Sequence, residues 1–174
     1  MIPEEWEKPE NQSKLAQKDI DADWTKKNGE RHFGYKDHVK CDADSKLITN
    51  YSVTSASVHD SQRCLVFIGQ EDEVLYADSA YSGKPIALAL PENCKNQICE
   101  KGYRNSPLTS EQKMNNRRKS RIRCRIEHIF GFMTGAMRGI TIRSIGITRA
   151  WMNIGITNLV YNFCRYSYLK RTSA

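Results

Sequence analysis

The sequence contains no long apolar run and no cysteine pattern typical of a zinc site. No apolar segment of the 174-residue chain approaches the roughly 20 residues that a membrane-spanning helix needs, and no charged start leads into an apolar signal core. Its six cysteines form no Cys-x-x-Cys pair and no Cys/His ligand spacing, so we expect reduced and mostly buried thiols. These absences predict a cytoplasmic protein with no membrane partner and no structural zinc.

Acidic residues are scarce in the C-terminal part of the chain. Residues 101–174 contain 15 Lys and Arg but only two Asp and Glu, whereas residues 1–100 contain 12 and 18. The formal charge of +7 for the whole chain hides this segregation. A basic block of this size predicts a polyanionic partner such as nucleic acid.

The residue pattern predicts one mixed α/β domain over residues 32–170, after a polar lead-in, residues 1–31, that we expect to be partly disordered. Within the lead-in, Trp24 is interpreted as a buried anchor. The alternating runs 33–41 and 47–53 predict a β-hairpin. Further elements are predicted as a helix from about Ser61 to Ile68, a buried strand 73–77, a helix 85–90, a short strand 97–100 and a helix 147–168.

The segment from Thr109 to Met133 predicts a single basic helix. Thr109 followed by Gln112 is typical of a capping box at its start. Ile122, Ile126 and Ile129 begin an apolar stripe that would face a core. Seven Lys and Arg residues lie on this segment, and beyond its first turn Glu127 is its only acid.

Two carboxylates stand out because of where they lie. Asp78 follows the buried strand 73–77, at the rim of a sheet where open α/β folds place their sites. Glu127 lies on the basic helix, and two acids on different elements can share a divalent metal through their oxygens. The alternative remains open that Asp78 caps the following turn and Glu127 only neutralises Arg123.

Five ordered motifs resemble the C-terminal, catalytic part of bacterial insertion-sequence transposases with a DDE domain, in particular the insertion-sequence-five group. The resemblance covers residues 2 to about 168. The motifs are Asp23-Trp24-Thr25-Lys26-Lys27-Asn28-Gly29, Phe33-Gly34-Tyr35-Lys36-Asp37-His38-Val39, the segment 53–61 with His59-Asp60, Tyr76-Ala77-Asp78-Ser79-Ala80-Tyr81, and Arg123-Cys124-Arg125-Ile126-Glu127-His128.

The resemblance implies a ribonuclease H-like mixed sheet with flanking helices, acting on transposon ends and target DNA. It also implies three acids that hold two Mg²⁺ (or Mn²⁺) ions, with Asp78 matching the second acid and Glu127 the third. Arg123 matches the Arg of the family's Arg-x-x-x-Glu motif. At two auxiliary positions of the family pattern, this chain carries residues that differ from those of the family, namely Ser120 and Thr134. Our candidates for DNA contacts are Arg117, Arg118, Lys119, Arg121, Arg123 and Arg125.

The first acid and its strand have no counterpart in the sequence, so we expect a domain without its first strand and an impaired enzyme. Asp19, Asp21 and Asp23 approach the end of the sheet where the first acid would lie and are candidates to replace it. Asp42 and Asp44 do not approach that end. The alternative is a non-catalytic basic fragment that binds DNA; an RNA-cutting nuclease of the same fold is a third possibility. Expected partners are DNA and either a second copy or a complementing transposase fragment, in a bacterial, nucleoid-associated setting.

Overall fold

An antiparallel sheet forms the first half of the fold. The computed structural model describes residues 4–27 and 29–172. Strands β1 (Asp23–Lys27), β2 (Glu30–Cys41) and β3 (Ile48–Ser55) lie in the order β1-β2-β3. β1 pairs with the first part of β2, up to Gly34, and β3 pairs with the rest, from Tyr35 to Cys41. The predicted hairpin is therefore confirmed, with a turn in which the Asp42 carboxylate accepts from the Ser45 backbone N–H.

A smaller parallel sheet forms the second half. Strand β4 (Val74–Leu75) pairs with β5 (Lys95–Asn96), and hydrogen bonds continue the ladder until the Cys99 N–H donates to the Ala77 carbonyl at 3.0 Å. Helices α2 (Ser61–Phe67) and α3 (Lys84–Ala89) precede and follow β4. Both helices and both strands were predicted, although regular pairing of β5 begins two residues earlier than the sequence suggested.

Three helices complete the chain: α4 (Ser110–Arg123), α5 (Arg125–Gly135) and α6 (Ile147–Thr172). The capping box at Thr109 and Gln112 is confirmed by both of its hydrogen bonds. The prediction of one continuous helix from Thr109 to Met133 was wrong at Cys124. There ψ is −9°, and the Glu127 N–H bonds to the Cys124 carbonyl three residues back, so the α-helical ladder is interrupted.

The lead-in contains more structure than its composition indicated. Two 3₁₀ turns and the short helix α1 (Gln12–Ala16) precede β1, which forms the edge of the sheet. The interpretation of Trp24 as a buried anchor was wrong: 59% of its surface is exposed, and the centre of its ring lies 5.2 Å from that of Phe33 on the paired strand. Residues 1–3 and 28 lie outside the described part, so the expected partial disorder remains a prediction.

Each sheet has its own hydrophobic core. Ile48 of β3 packs with Ile129 and Met133 of α5 and with Tyr161 of α6. A second cluster joins α2, α3 and the residues after β5 through Cys64, Ile86 and Ile98. No helix in residues 4–27 and 29–172 is long and apolar enough to cross a membrane.

The two halves meet through polar side chains on one face of β2. Lys40 forms an ion pair of 2.5 Å with Asp72, just before β4, and Lys36 donates to the Val58 carbonyl at 2.8 Å. Between them on the same face, His38 lies 3.6 Å from Asp60, and burial lowers the pKa of this imidazole. No hydrogen-bonded strand in the described part of the chain joins the two sheets.

The protein exposes more surface than a compact monomer of its size. Its accessible surface is 12,652 Å², whereas a folded monomer of 20.0 kDa is expected to expose about 8,700 Å². The excess includes many large apolar side chains that lie on the surface. Large exposed apolar patches are uncommon on monomeric proteins and often mark interaction surfaces.

Asp37 lies on the core-facing side of β2, where a carboxylate is costly. Asn158 of α6 donates to Asp37 Oδ1 at 3.3 Å, but the buried Asp37 Oδ2 and Asn158 Oδ1 have no partner among the described residues. Burial raises the pKa of Asp37 to about 6. A protonated Asp37 could donate to the amide oxygen, so the neutral acid suits this position better than the carboxylate.

We expect Asp37→Asn to stabilise the fold at pH 8 by about 2 kcal/mol and to have little effect at pH 4. The folded-state pKa lies above the unfolded value of 3.8, so the stability contributed by protonated Asp37 is present below pH 4 and lost as pH rises through 6. Urea unfolding at both pH values measures the difference. An Asn variant that is less stable than the parent at pH 8 would contradict this account of Asp37.

Candidate DNA-binding and catalytic site

Asp78 lies immediately after the β4 ladder, as predicted. Its side chain is exposed, and Oδ1 accepts from the Ser79 backbone N–H at 2.6 Å, capping the 3₁₀ turn Ser79–Tyr81. The Asp78 charge also acts on Tyr81, whose pKa rises to about 12 mainly through burial and next through the charges of Asp60, Cys64 and Asp78. The capping role is therefore observed, and among the described residues no hydrogen bond engages the other carboxylate oxygen, Oδ2.

Glu127 lies in the first turn of α5 and pairs with Arg123 at the end of α4. The distance from Arg123 Nη2 to Glu127 Oε1 is 3.1 Å, and the carboxylate is well exposed. This ion pair spans the break at Cys124, so it holds the two helices at their junction. Such an exposed pair contributes at most about 1 kcal/mol to stability, so Glu127 is not required for folding.

The segments that carry the two acids are connected through Cys99. Its N–H pairs with Ala77, next to Asp78, and its Sγ lies 3.7 Å from Ser120 Oγ on α4, one turn before Arg123. No described hydrogen bond or ion pair joins Asp78 or its turn directly to Glu127. The structure thus brings Arg123 and Glu127 together and links them to Asp78 only indirectly.

The described residues do not by themselves fit a divalent metal. Among residues 4–27 and 29–172 there is no group of three or more His, Cys, Asp or Glu arranged to hold an ion. One oxygen of each acid is already engaged, by Ser79 N–H and by Arg123 respectively. Mg²⁺ usually keeps several waters and takes one or two protein carboxylates, but the structure joins Asp78 to Glu127 only indirectly and forms no shared site from them.

The aspartates considered as substitutes for the first acid have structural roles. Asp19 Oδ2 accepts from Gly146 N–H and Asp21 Oδ2 from Ile147 N–H, which places both carboxylates at the start of α6. Asp19 also accepts from the Tyr35 hydroxyl at 2.6 Å, and Asp23 accepts from the Trp24 N–H at 2.7 Å. Asp44 lies in the hairpin turn beside Arg125.

The six basic candidates divide into two groups. Lys119 donates to the Ile98 carbonyl at 3.0 Å, and Arg125 donates to the Ala43 carbonyl and to Asp44, so both anchor α4 and α5 to the rest of the fold. With Arg123 paired to Glu127, three arginines remain exposed, and within the described residues no hydrogen bond or ion pair engages their guanidinium groups. These three, which lie within four residues of one another on α4, are Arg117, Arg118 and Arg121.

Asp37, Lys40 and Asp72 were not among the predicted site residues. A signal existed for Asp37, because it occupies an inward position between Tyr35 and Val39 in an alternating strand. The Lys40–Asp72 pair joins residues 32 positions apart, and no local pattern indicates such a contact.

Comparisons with known proteins give a family with which the mixed α/β fold is consistent. The family model described as transposase DDE domain matches residues 5–163, and the chain therefore belongs to this family. It is similar to the transposase for insertion sequence element IS1106 of Neisseria meningitidis serogroup B, with 33% identity over 117 residues. That match covers 66% of this chain but 40% of the relative, so the chain spans less than half of the relative's length. No solved structure matches.

Proposed function

We propose that this chain takes part in DNA transposition, as a section of a DDE catalytic domain that binds DNA through α4. The observation that carries the proposal is the family match across residues 5–163, nearly the whole chain. The free arginines Arg117, Arg118 and Arg121 supply the chemistry that a phosphate backbone requires. Membership of the insertion-sequence-five group and association with the nucleoid are parts of the same proposal.

For the fold, we propose a ribonuclease H-like sheet that lacks one strand between β2 and β4. Three observations support it: the two sheets are not joined, no described strand pairs with the second edge of β2 between Tyr35 and Cys41, and the surface is larger than expected. An unpaired edge of this length accepts an added strand readily. A complementing transposase fragment is the partner that this edge would fit.

In the family, divalent metal ions generally serve the chemistry of strand cleavage and transfer. Asp78 and Glu127 are the proposed ligands, with Mg²⁺ or Mn²⁺ as the ion and Arg123 orienting Glu127. Because the described residues bring no third acid to Asp78 and Glu127, we propose that the chain alone is impaired and that a carboxylate on the added strand completes the site. The competing proposal is a basic fragment that only binds DNA. It predicts the same affinity for DNA but no DNA cleavage, even when a complementing fragment is added.

The test is to incubate end-labelled duplex DNA with the chain in Mg²⁺ and to follow binding and cleavage together. We expect the duplex to be bound and to stay intact. Asp78→Asn should leave the affinity within about twofold, because Asp78 lies outside the exposed arginine group. If the parent chain nicks the duplex in Mg²⁺ and Asp78→Asn does not, the proposal that the chain alone is impaired is wrong.

A further inference from the structure

The β1–β2 hairpin carries two exposed aromatic side chains that the proposed duplex contact on α4 does not use. Trp24 and Phe33 are direct partners across the two strands, and 59% and 50% of their surfaces are exposed. Their ring centres lie 5.2 Å apart with the ring planes at 51°, so the rings do not stack flat on each other. Aromatic side chains contribute large contact areas at interfaces, which makes this pair a candidate contact surface.

Two cations share the face of the hairpin on which the aromatic pair lies. Lys26 and Arg31 are partners two positions nearer the turn, and alternate residues of a strand lie on one face. Both are exposed, and no ion pair engages either within the described residues. Glu30 and Asp23, the acids of the paired segments, lie on the opposite face. We call this set the hairpin face: Trp24, Lys26, Arg31 and Phe33.

Aromatic rings combined with cations are the chemistry that recognises single-stranded nucleic acid. Bases stack on the rings, and lysine or arginine contacts the phosphates. Inside a paired duplex the base faces are covered by neighbouring bases, so a protein ring can stack only on a base that has left the stack. An apolar protein partner would instead bury Lys26 and Arg31 without a counter-charge, which is costly.

The spacing and the surrounding charges fit one nucleotide unit. Trp24 and Lys26 are separated by two residues of a strand, about 7 Å, which a nucleotide spans between its base and its phosphates. Lys26 and Arg31 also line a shallow depression beside the Trp24 ring. A cleft that includes Trp24 and Phe33 is lined by three acids, which would repel phosphate and so direct the backbone toward the turn. These acids are Asp19, Asp21 and Asp23.

We propose that the hairpin face is a binding subsite for unpaired nucleotides of single-stranded DNA, with a base stacked on Trp24 and Phe33 and the adjoining phosphates bound by Lys26 and Arg31. The inference rests on the proposed function, because a chain that takes part in transposition meets DNA strand ends, where bases unpair most readily. A fully paired duplex offers no base face, so the hairpin face adds little to its binding.

Fluorescence anisotropy with three labelled DNAs tests the subsite: a blunt duplex, the same duplex with a single-stranded overhang of thymidines, and one with an abasic overhang of equal length. The two overhangs carry the same phosphates, so their difference reports the bases alone. We expect the parent chain to bind the thymidine overhang at least fivefold more tightly than the abasic one, because stacking strengthens binding by several-fold or more per base.

Leucine and tyrosine variants identify the rings that carry this preference. Trp24→Leu/Phe33→Leu keeps an apolar pair without rings, so it should abolish the preference and leave blunt-duplex affinity within about twofold. Trp24→Tyr/Phe33→Tyr should retain the preference. The matched control is Phe163→Leu/Tyr166→Leu on α6, where the aromatic side chains are 63% and 52% exposed but lie outside the hairpin face; it should behave as the parent does.

A second measurement leaves the aromatic pair intact. In a Trp6→Phe/Trp151→Phe background, the fluorescence of Trp24 should be quenched when oligothymidine binds, because stacking brings a base onto its ring. Absence of quenching, equal affinities of the parent chain for the two overhangs, or a preference that survives the leucine pair would each overturn the inference. Equal overhang affinities with a bound blunt duplex would overturn the inference alone, whereas a chain that binds none of the three DNAs would overturn the proposed function as well.

Discussion

Replacing Arg117, Arg118 and Arg121 together by alanine is expected to weaken binding to duplex DNA about a hundredfold at roughly 0.1 M salt, because each lost phosphate contact forfeits the release of about one counterion. The loss should be nearly the same for every DNA sequence, since contacts to phosphate carry no base information. Fluorescence anisotropy with a labelled duplex measures the affinity. The three side chains are exposed and have no partner within the described residues, so the variant should keep the parent's stability.

A control variant removes the same charge elsewhere. Lys26, Lys27 and Arg31 are exposed on the β1–β2 hairpin, outside α4 and α5. Their replacement by alanine should reduce affinity less than tenfold, through the change in net charge alone. Equal losses in the two triple variants would show that the chain attracts DNA by its overall charge, without a defined α4 surface.

Ile129→Ala is expected to lower the free energy of unfolding by about 3–4 kcal/mol, which is a large part of the stability of a domain of this size. Ile129 is completely buried in the cluster that joins β3, α5 and α6. The cavity cannot close easily, because Ile48, Met133 and Tyr161 are held by three different elements. Thermal and urea unfolding measure the change.

The comparison for this variant is Val66→Ala on α2, where the side chain is 58% exposed; it should change stability by less than about 0.5 kcal/mol. A loss below about 1 kcal/mol for Ile129→Ala would mean that the cluster is loosely packed. In that case α5 and α6 would not be firmly attached to the sheet.

Most of the secondary structure could be predicted because it depends on local signals. The alternation of β2 and β3, the capping box at Thr109 and the proline before Ile86 each determine an element within a few residues. The break at Cys124 could not be predicted, because the apolar period continues through it and only the observed backbone shows the interruption. The exposure of Trp24 could not be predicted either, since it depends on whether another element covers β1.

Only part of the candidate site could be predicted from the sequence. Position in the chain placed Asp78 at the end of β4 and Glu127 within one turn of Arg123, and the structure has both features. The separation of the sheets and the engagement of Lys119 and Arg125 depend on residues far apart in sequence. Charge pattern alone could not divide the basic residues into those that anchor helices and those that remain free.

We propose that this chain, a member of the transposase DDE domain family, contacts the DNA backbone through Arg117, Arg118 and Arg121, which have no partner among the described residues. The most direct test is the affinity of the unchanged chain for a duplex over a range of salt concentrations. We predict that log affinity falls against log salt with a slope of about −3 or steeper, equally in Mg²⁺ and in chelator. Binding that is absent, or that does not weaken as salt rises, would contradict the account.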